Sequence, residues 1–472
     1  MPLVAGIDSS TQSCKVVIRD AVSGELIRSG RASHPAGTEV DPNAWFEALQ
    51  EAIQDAGGFA DVAAVSIGGQ QHGMVLLDTD GQVIRKALLW NDTRSASTAI
   101  ELIERFGAEY LVKNTGSIPV ASFTSTKVLW VSQNEPENAS RVAAVCLPHD
   151  WLSWRLAGFG PVGESKFGPD LSALTTDASD ASGTGYFNPT SGEYLPAVWE
   201  FILGRMPKLP RVVAPGEWAF EPNTGNHFGI ACGAGDNAAA GLGLGADIGD
   251  IVVSLGTSGT VFAVTAKQTE DLTGTVAGFA SASASFLPLV CTLNAARVMD
   301  SFASLLSVSH DELAQLALAS EPGADGVVVI PYFEGERTPN LPDAKGSVVG
   351  LTLKNNTREN LARAAIEGML CGLADGLAVL SSHGVQAKRL LLIGGAAANP
   401  AVQKSAAQVF GVSIAIPELG EYVADGAARQ ASHALMGSEA HWPVAMLAEV
   451  PADHRPEILR NYRDAQAAIY SS

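Results

Sequence analysis

Two hydroxyl-rich hairpin tips and one carboxylate set between small residues are the parts of this chain best suited to chemistry. Asp8-Ser9-Ser10-Thr11 follows the apolar run 3–7 and precedes a second run, 14–20. Ser254-Leu255-Gly256-Thr257-Ser258-Gly259-Thr260 lies between the runs 251–253 and 261–265 in the same way. Tips with exposed backbone N–H groups, hydroxyls and little side-chain bulk can cradle phosphates. A carboxylate beside such a tip, Asp8, can organise a hydrated Mg²⁺, which keeps several waters and takes few protein ligands. Asp236, in Gly235-Asp236-Asn237-Ala238, could accept a proton from an attacking hydroxyl. Gly394-Gly395, after the run 389–393, would let an adenine ring approach the backbone. Phosphoryl transfer needs little beyond positioning, charge neutralisation and one base.

Each residue also has a plainer reading. Asp236 could cap the helix that follows it, Asp8 could be a turn residue, and His72 a satisfied histidine near a turn. Gly233, Gly235 and Ala238 partly mimic a dinucleotide-binding fingerprint. That motif alone is weak evidence, and in mid-chain it leaves both polar hairpins without a role.

The elements needed to position these residues alternate between strands and helices. Asp41-Pro42 is a helix-start signal, and the helix it opens sets Trp45, Leu49 and Ile53 on one face. The run 62–67 leads into Gly68-Gly69-Gln70-Gln71-His72-Gly73. A long helix is predicted over 358–380, with Ala365, Gly368, Gly372 and Gly376 at three- or four-residue spacing for close backbone packing. A strand over 389–393, a helix over 399–410 and a strand over 412–416 follow. The order is that of an α/β protein. The two hairpins sit about half a chain apart, with Thr11 aligned to Thr257, which reads as a degenerate internal repeat.

Composition limits the partners. The chain has 472 residues, too many for one ordinary core, so two or three domains are predicted. A net charge of −20 with no Lys/Arg run argues against nucleic acid and anionic membrane. Five scattered cysteines without a CxxC pair suit a reducing compartment and suggest neither a disulfide framework nor a zinc site. The start has no signal-peptide pattern, and no apolar stretch reads as the roughly 20 residues that span a bilayer. The expectation is a cytoplasmic protein.

Taken together, Gly69-Gln70-Gln71-His72-Gly73, Leu89-Trp90-Asn91-Asp92-Thr93-Arg94, Gly235-Asp236-Asn237-Ala238, Ser254-Leu255-Gly256-Thr257-Ser258-Gly259, Gly335-Glu336-Arg337-Thr338-Pro339 and Ile393-Gly394-Gly395 resemble the FGGY carbohydrate kinases, and most closely their xylulokinase branch. These belong to the actin-like ATPase superfamily, and the likeness covers about residues 3–435. It implies two actin-like (ribonuclease H-like) α/β domains with an interdomain cleft. The boundaries are 1–244 for a sugar-binding domain, 245–440 for a nucleotide-binding domain and 441–472 for a helical tail. It implies ATP and Mg²⁺ as cofactors and ATP-dependent phosphorylation of a ketopentose, D-xylulose foremost. The alternatives are ribulose, another pentulose, a polyol such as glycerol, or a non-sugar actin-like ATPase.

By the same resemblance Asp236 is the general base, and Gln71, His72, Asp236 and Asn237 contact the sugar. Asp8 stands near Mg²⁺. Thr11 belongs to the first phosphate loop, Gly256 and Thr257 to the second, and Gly394, Gly395 and Asn399 to the adenosine region. A homodimer is left open. The chain departs from the family in two places. Ser10 and Ser13 replace glycines of the first hairpin, which predicts a changed turn, and Ala396 replaces a third adenosine-loop glycine.

Overall fold

A computed structural model describes residues 1–470. In it β1 (Leu3–Ser9) and β2 (Ser13–Asp20) form an antiparallel hairpin, in register from Leu3 opposite Asp20 to Ser9 opposite Cys14. β3 (Leu26–Ser33) adds antiparallel to β2. α1 (Pro42–Asp55) starts at the predicted signal: the Asp41 side chain accepts from Asn43 N, and Trp45 and Leu49 are buried. β4 (Val62–Gly69) lies parallel to β1 and is buried almost throughout, as suits a strand covered on both faces. α2 (Pro148–Leu156), α3 (Ala178–Ala181), β5 (Trp218–Phe220), β6 (Gly229–Ala231), β7 (Ala234–Gly235) and α4 (Asp236–Gly243) follow. The sheet order is β5-β6-β4-β1-β2-β3, and β7 pairs with the last residues of β4.

The second sheet repeats this plan. β8 (Asp250–Leu255), β9 (Gly259–Ala263) and β10 (Phe286–Thr292) are successive antiparallel neighbours. β11 (Arg389–Ile393) runs parallel to β8, β12 (Ile414–Pro417) parallel to β11, and β13 (Met446–Val450) antiparallel to β12. In each sheet, therefore, the first strand and the next two on one side of it are successive antiparallel neighbours. On the other side each has two parallel strands and a closing antiparallel one. The repeat read from two hairpin tips extends through six strands, although the closing strand precedes its neighbour in the first sheet and follows it in the second.

α5 (Arg358–Ser382) corrects one sequence reading: by length and composition it could cross a membrane, with an 18-residue window of mean hydropathy 1.5. Its apolarity comes from Ala, Gly and Leu mixed with polar residues, so no uninterrupted run announces it. Of that window 67% is buried within the protein. The predicted close approach holds at Gly368, where a Cβ would lie 2.2 Å from the Val329 carbonyl oxygen. α6 (Pro400–Phe410) is capped by Asn399, whose side chain accepts from Ala401 N and Val402 N.

The chain divides into two compact units, each discontinuous in sequence. One comprises Met1–Ala246, Ala266–Leu287 and Glu421–Pro443; the other comprises Asp247–Thr265, Pro288–Gly420 and Val444–Ser472. The sequence boundary at 244/245 falls near the first departure from unit one, and two later segments return to it. The second return carries α7 (Tyr422–Met436), which packs on β1, β4 and α4. Glycines allow that contact: a Cβ on Gly6 would lie 1.8 Å from the Ala424 carbonyl oxygen, and one on Gly426 1.9 Å from that of Ala239. In the other unit α8 (Pro456–Tyr470) buries Ile458 and Tyr462 and forms the helix expected in the tail, but the tail over 441–472 is not wholly helical: Met446–Val450 is β13, the closing strand of the second sheet.

Candidate active site

Asp236 is placed by a strand pair rather than by helix capping. β7 runs parallel to the end of β4, with Gly235 opposite Gly69, so Asp236 emerges beside the segment that carries Gln71 and His72. It is the first residue of α4, whose N-cap is Gly235, and its side chain makes no cap bond across the turn. Its Oδ1 instead accepts from Asn237 N at 2.8 Å and from Asn237 Nδ2 at 3.0 Å. The carboxyl is pushed up to about 6. Desolvation is the main cause; the Asn237 amide opposes it, and the charge of Asp8 adds to it. A carboxylate titrating there is ionised at neutral pH yet basic enough to take a proton.

Gln71 and His72 are fixed by one short stretch. Gln71 Nε2 donates to the Ser179 carbonyl at 3.0 Å, while Ser179 Oγ accepts from Gly235 N at 3.1 Å. A Cβ on Gly235 would lie 2.7 Å from Gln71 Cγ, so the two motifs touch. His72 Nδ1 lies 2.5 Å from the Gly183 carbonyl oxygen. The residue adopts a left-handed backbone, φ 69°, uncommon for a side chain other than glycine. Its ring packs against Phe123 and Phe279, with centroids 4.9 and 5.7 Å away. The histidine is thus clamped in a strained conformation, the kind of backbone that tends to cluster at functional sites.

Asp8 lies within β1 rather than in the turn, and is buried. Burial raises its pKa, against the Ser10 hydroxyl and the Lys15 charge. Ser10 Oγ donates to Asp8 Oδ1. Lys15 Nζ stays 3.6 Å from Oδ2 because it is drawn to Glu421 at 2.5 Å. A desolvated carboxylate with so little positive charge at contact distance can take a hard cation, for which carboxylate oxygen is the matching donor. Thr11 Oγ1 donates to Gln70 Oε1 at 3.4 Å and accepts from Trp90 Nε1 at 2.9 Å. Neither Ser10 nor Ser13 has a positive φ, so neither position needs a glycine. Trp90 is 41% exposed. Asp92 is buried, accepting from Thr38 Oγ1 at 2.8 Å and from Arg94 Nε at 2.8 Å.

The remaining predicted residues gather in the other unit. Gly256, Thr257, Gly395 and Asn399 line a cavity of about 460 Å³ together with Met299 and Asp300, a size that suits a nucleoside. Gly394 stands behind it with φ 95°, and a Cβ there would lie 2.5 Å from the Leu255 carbonyl oxygen. Ala396 sits in a short 3₁₀ turn over Gly395–Ala398 with no positive φ, so it needs no glycine. Glu336 finds a structural part: buried, it accepts from Leu293 N at 2.6 Å and Asn294 Nδ2 at 2.9 Å.

Sequence reasoning missed the residues that hold Gln71, His72 and Gly235, namely Ser179 and Gly183, and those beneath them, His149 and Asp180. The run Asp177-Ala178-Ser179-Asp180-Ala181-Ser182-Gly183-Thr184 carried a signal in its density of acids and hydroxyls, but it has neither the apolar period nor the glycine spacing that marks a motif.

Residues 3–243 match the N-terminal domain of the FGGY family of carbohydrate kinases, and residues 251–435 match its C-terminal domain. A xylulose kinase of Streptomyces rubiginosus is 44% identical over 455 residues, covering 93% of this chain and 89% of the relative. One of Haemophilus influenzae is 34% identical, covering 90% and 89%. The crystal structure of a xylulose kinase from Bifidobacterium adolescentis superposes with a TM-score of 0.92 at 46% identity, covering 98% and 99%. The fold is the two-domain kinase fold that the six motifs implied, and the chain belongs to the FGGY family of carbohydrate kinases.

Proposed function

We propose that this kinase transfers the γ-phosphoryl group of ATP to a terminal hydroxyl of D-xylulose, with Asp236 as the general base. The observation that carries this reading is a carboxyl raised to about 6 on the residue that follows Gly235, the glycine that packs against Gln71. The high identity to xylulose kinases supports the choice of sugar. Gln71, His72 and Asn237 offer donors and acceptors suited to adjacent hydroxyls beside a carbonyl. No basic residue falls inside these two motifs to pair with a sugar carboxylate.

Asp236 accepts the hydroxyl proton as the oxygen approaches phosphorus, and Asn237 orients the carboxylate through its backbone and side-chain amides. Thr11 stands in the first phosphate loop, and Gly256 and Thr257 in the second, where backbone N–H groups can face phosphate oxygens. Gly394, Gly395 and Asn399 frame the adenosine. Asp8, desolvated and under-neutralised, would hold Mg²⁺, which when bound supplies charge neutralisation at the phosphates.

A coupled ADP-release assay over ketoses, aldoses and polyols should give D-xylulose the highest kcat/KM, with ribulose weaker and glycerol or gluconate much weaker. Asp236→Ala should lower kcat at least ~10²-fold, the scale of a lost general base, while ATP still binds. An aldose or glycerol outperforming D-xylulose would overturn the substrate; near-normal turnover in Asp236→Ala would overturn the base.

A further inference from the structure

We propose that His149 is a positioning residue for the sugar: as the hub of a buried cluster with Asp150, Asp177 and Asp180, it fixes the stretch 177–184, which in turn holds Gln71, His72 and Gly235. This rests on the assignment of those residues to the sugar site.

The side chain of His149 is fully buried at the start of α2. Its Nδ1 lies 2.6 Å from Asp180 Oδ2, its Nε2 3.3 Å from Asp150 Oδ1 and 4.0 Å from Asp177 Oδ1. Two glycines of the site strands fit against it: a Cβ on Gly69 would lie 2.8 Å from His149 Cβ, and one on Gly233 2.4 Å from Cδ2. The imidazole therefore wedges between the strands that carry the two sugar motifs and the stretch that binds both. Asp177 completes that stretch by accepting from Ser179 N at 2.8 Å and Asp180 N at 3.1 Å. Beyond it, Ser182 Oγ accepts from Ala280 N at 3.1 Å.

Charge explains why a histidine occupies the hub. Burial alone would discharge it, yet the Asp150, Asp180 and Asp177 carboxylates outweigh burial and push it up to about 10. Its Nδ1 donates to Asp180, while Nε2 stands 3.3 Å from Asp150 Oδ1 as an ion pair without a hydrogen bond; only the protonated ring attracts acids on both elements. Burial already raises the Asp150, Asp177 and Asp180 carboxyls; without the cation they would take up protons or repel one another, and the stretch would lose its anchor. The donor atoms of His149, Asp150 and Asp180 lie within 4.8 Å of one another, so a metal is the competing occupant. The Nδ1 to Oδ2 distance, however, is that of an N–H···O⁻ bond.

The test compares the wild-type enzyme with Asp180→Asn, with the double variant His149→Gln/Asp180→Asn, which removes one charge of each sign and so keeps the net charge of the cluster if the first is unstable, and with Ser179→Ala. Steady-state KM is measured separately for D-xylulose and ATP. Sugar kcat/KM should fall roughly 10–10²-fold through a raised sugar KM, the range for slight misplacement of reacting groups, with ATP KM nearly unchanged. Thermal melts confirm that the variants are folded. A folded set with normal sugar KM, or with both KM values rising together, would overturn the proposal. So would about one equivalent of metal per wild-type chain that is lost in the double variant. If the wild type phosphorylates no sugar, the functional assignment fails instead, before any variant is compared.

Discussion

At Asp236 the desolvation that would suit the carboxyl to the proposed role of base also costs stability. Its carboxyl is raised to about 6, above the unfolded value near 3.8, so the folded state holds the proton more tightly. Stability is therefore lost as pH rises from about 4 through 6, and the full cost is present at pH 7. Two outcomes follow. The kcat/KM for sugar should rise with pH through an acid limb near 6, measured in a buffer series at constant ionic strength. Asp236→Asn, which cannot ionise, should lose that limb and melt higher than wild type at pH 7, by on the order of 1 kcal/mol after allowing for its partial exposure. A lower melting point for Asn would show that the charge is well compensated. Asp236, Gln71 and Asp8 were legible because their motifs state residue type and order. His149 and Asp180 were not, because their role depends on burying one cation among three acids drawn from segments about thirty residues apart.

The elements that place these residues were legible in proportion to how local their causes are. β1–β2 and β8–β9 show alternating or continuous apolar runs around polar tips, and α1 shows its cap and proline. The contacts of α7 have no such cause: an alanine-rich helix bears no mark of the strand, about 400 positions earlier, on which it lies. That packing depends on missing side chains. Gly6→Ala would drive a Cβ to 1.8 Å from the Ala424 carbonyl oxygen, a backbone atom that cannot rotate away. The expected loss is about 3 kcal/mol, the upper part of the range for overpacking. It should appear as a lowered unfolding transition on thermal melting, while the nucleotide binding proposed for the other unit is nearly unchanged. A transition equal to wild type would mean that helix and strand can separate without loss.

At the scale of the whole molecule, the first unit is a mosaic of three chain segments. Residues 1–246 expressed alone should lack cooperative unfolding and expose apolar surface to a dye. A continuous 1–443 chain with 247–420 replaced by a flexible linker that keeps 266–287 should recover a single sharp transition. A well-folded 1–246 fragment would show that the returning helix is dispensable.

The return of α7 also sets an order on biosynthesis. Val4, Val17 and Ala64 are covered by Ala424, Ala428 and Trp442, and α4, which begins with Asp236, lies under the same helix. A ribosome moving from residue 246 to 443 at the usual pace needs roughly 10–40 s. Through that interval the nascent first unit waits with an apolar face uncovered and the helix that begins with Asp236 unsupported. A chaperone that binds apolar surface would have its strongest claim on this protein in that window, and a premature stop before residue 422 would release a chain without the helix that closes the gap.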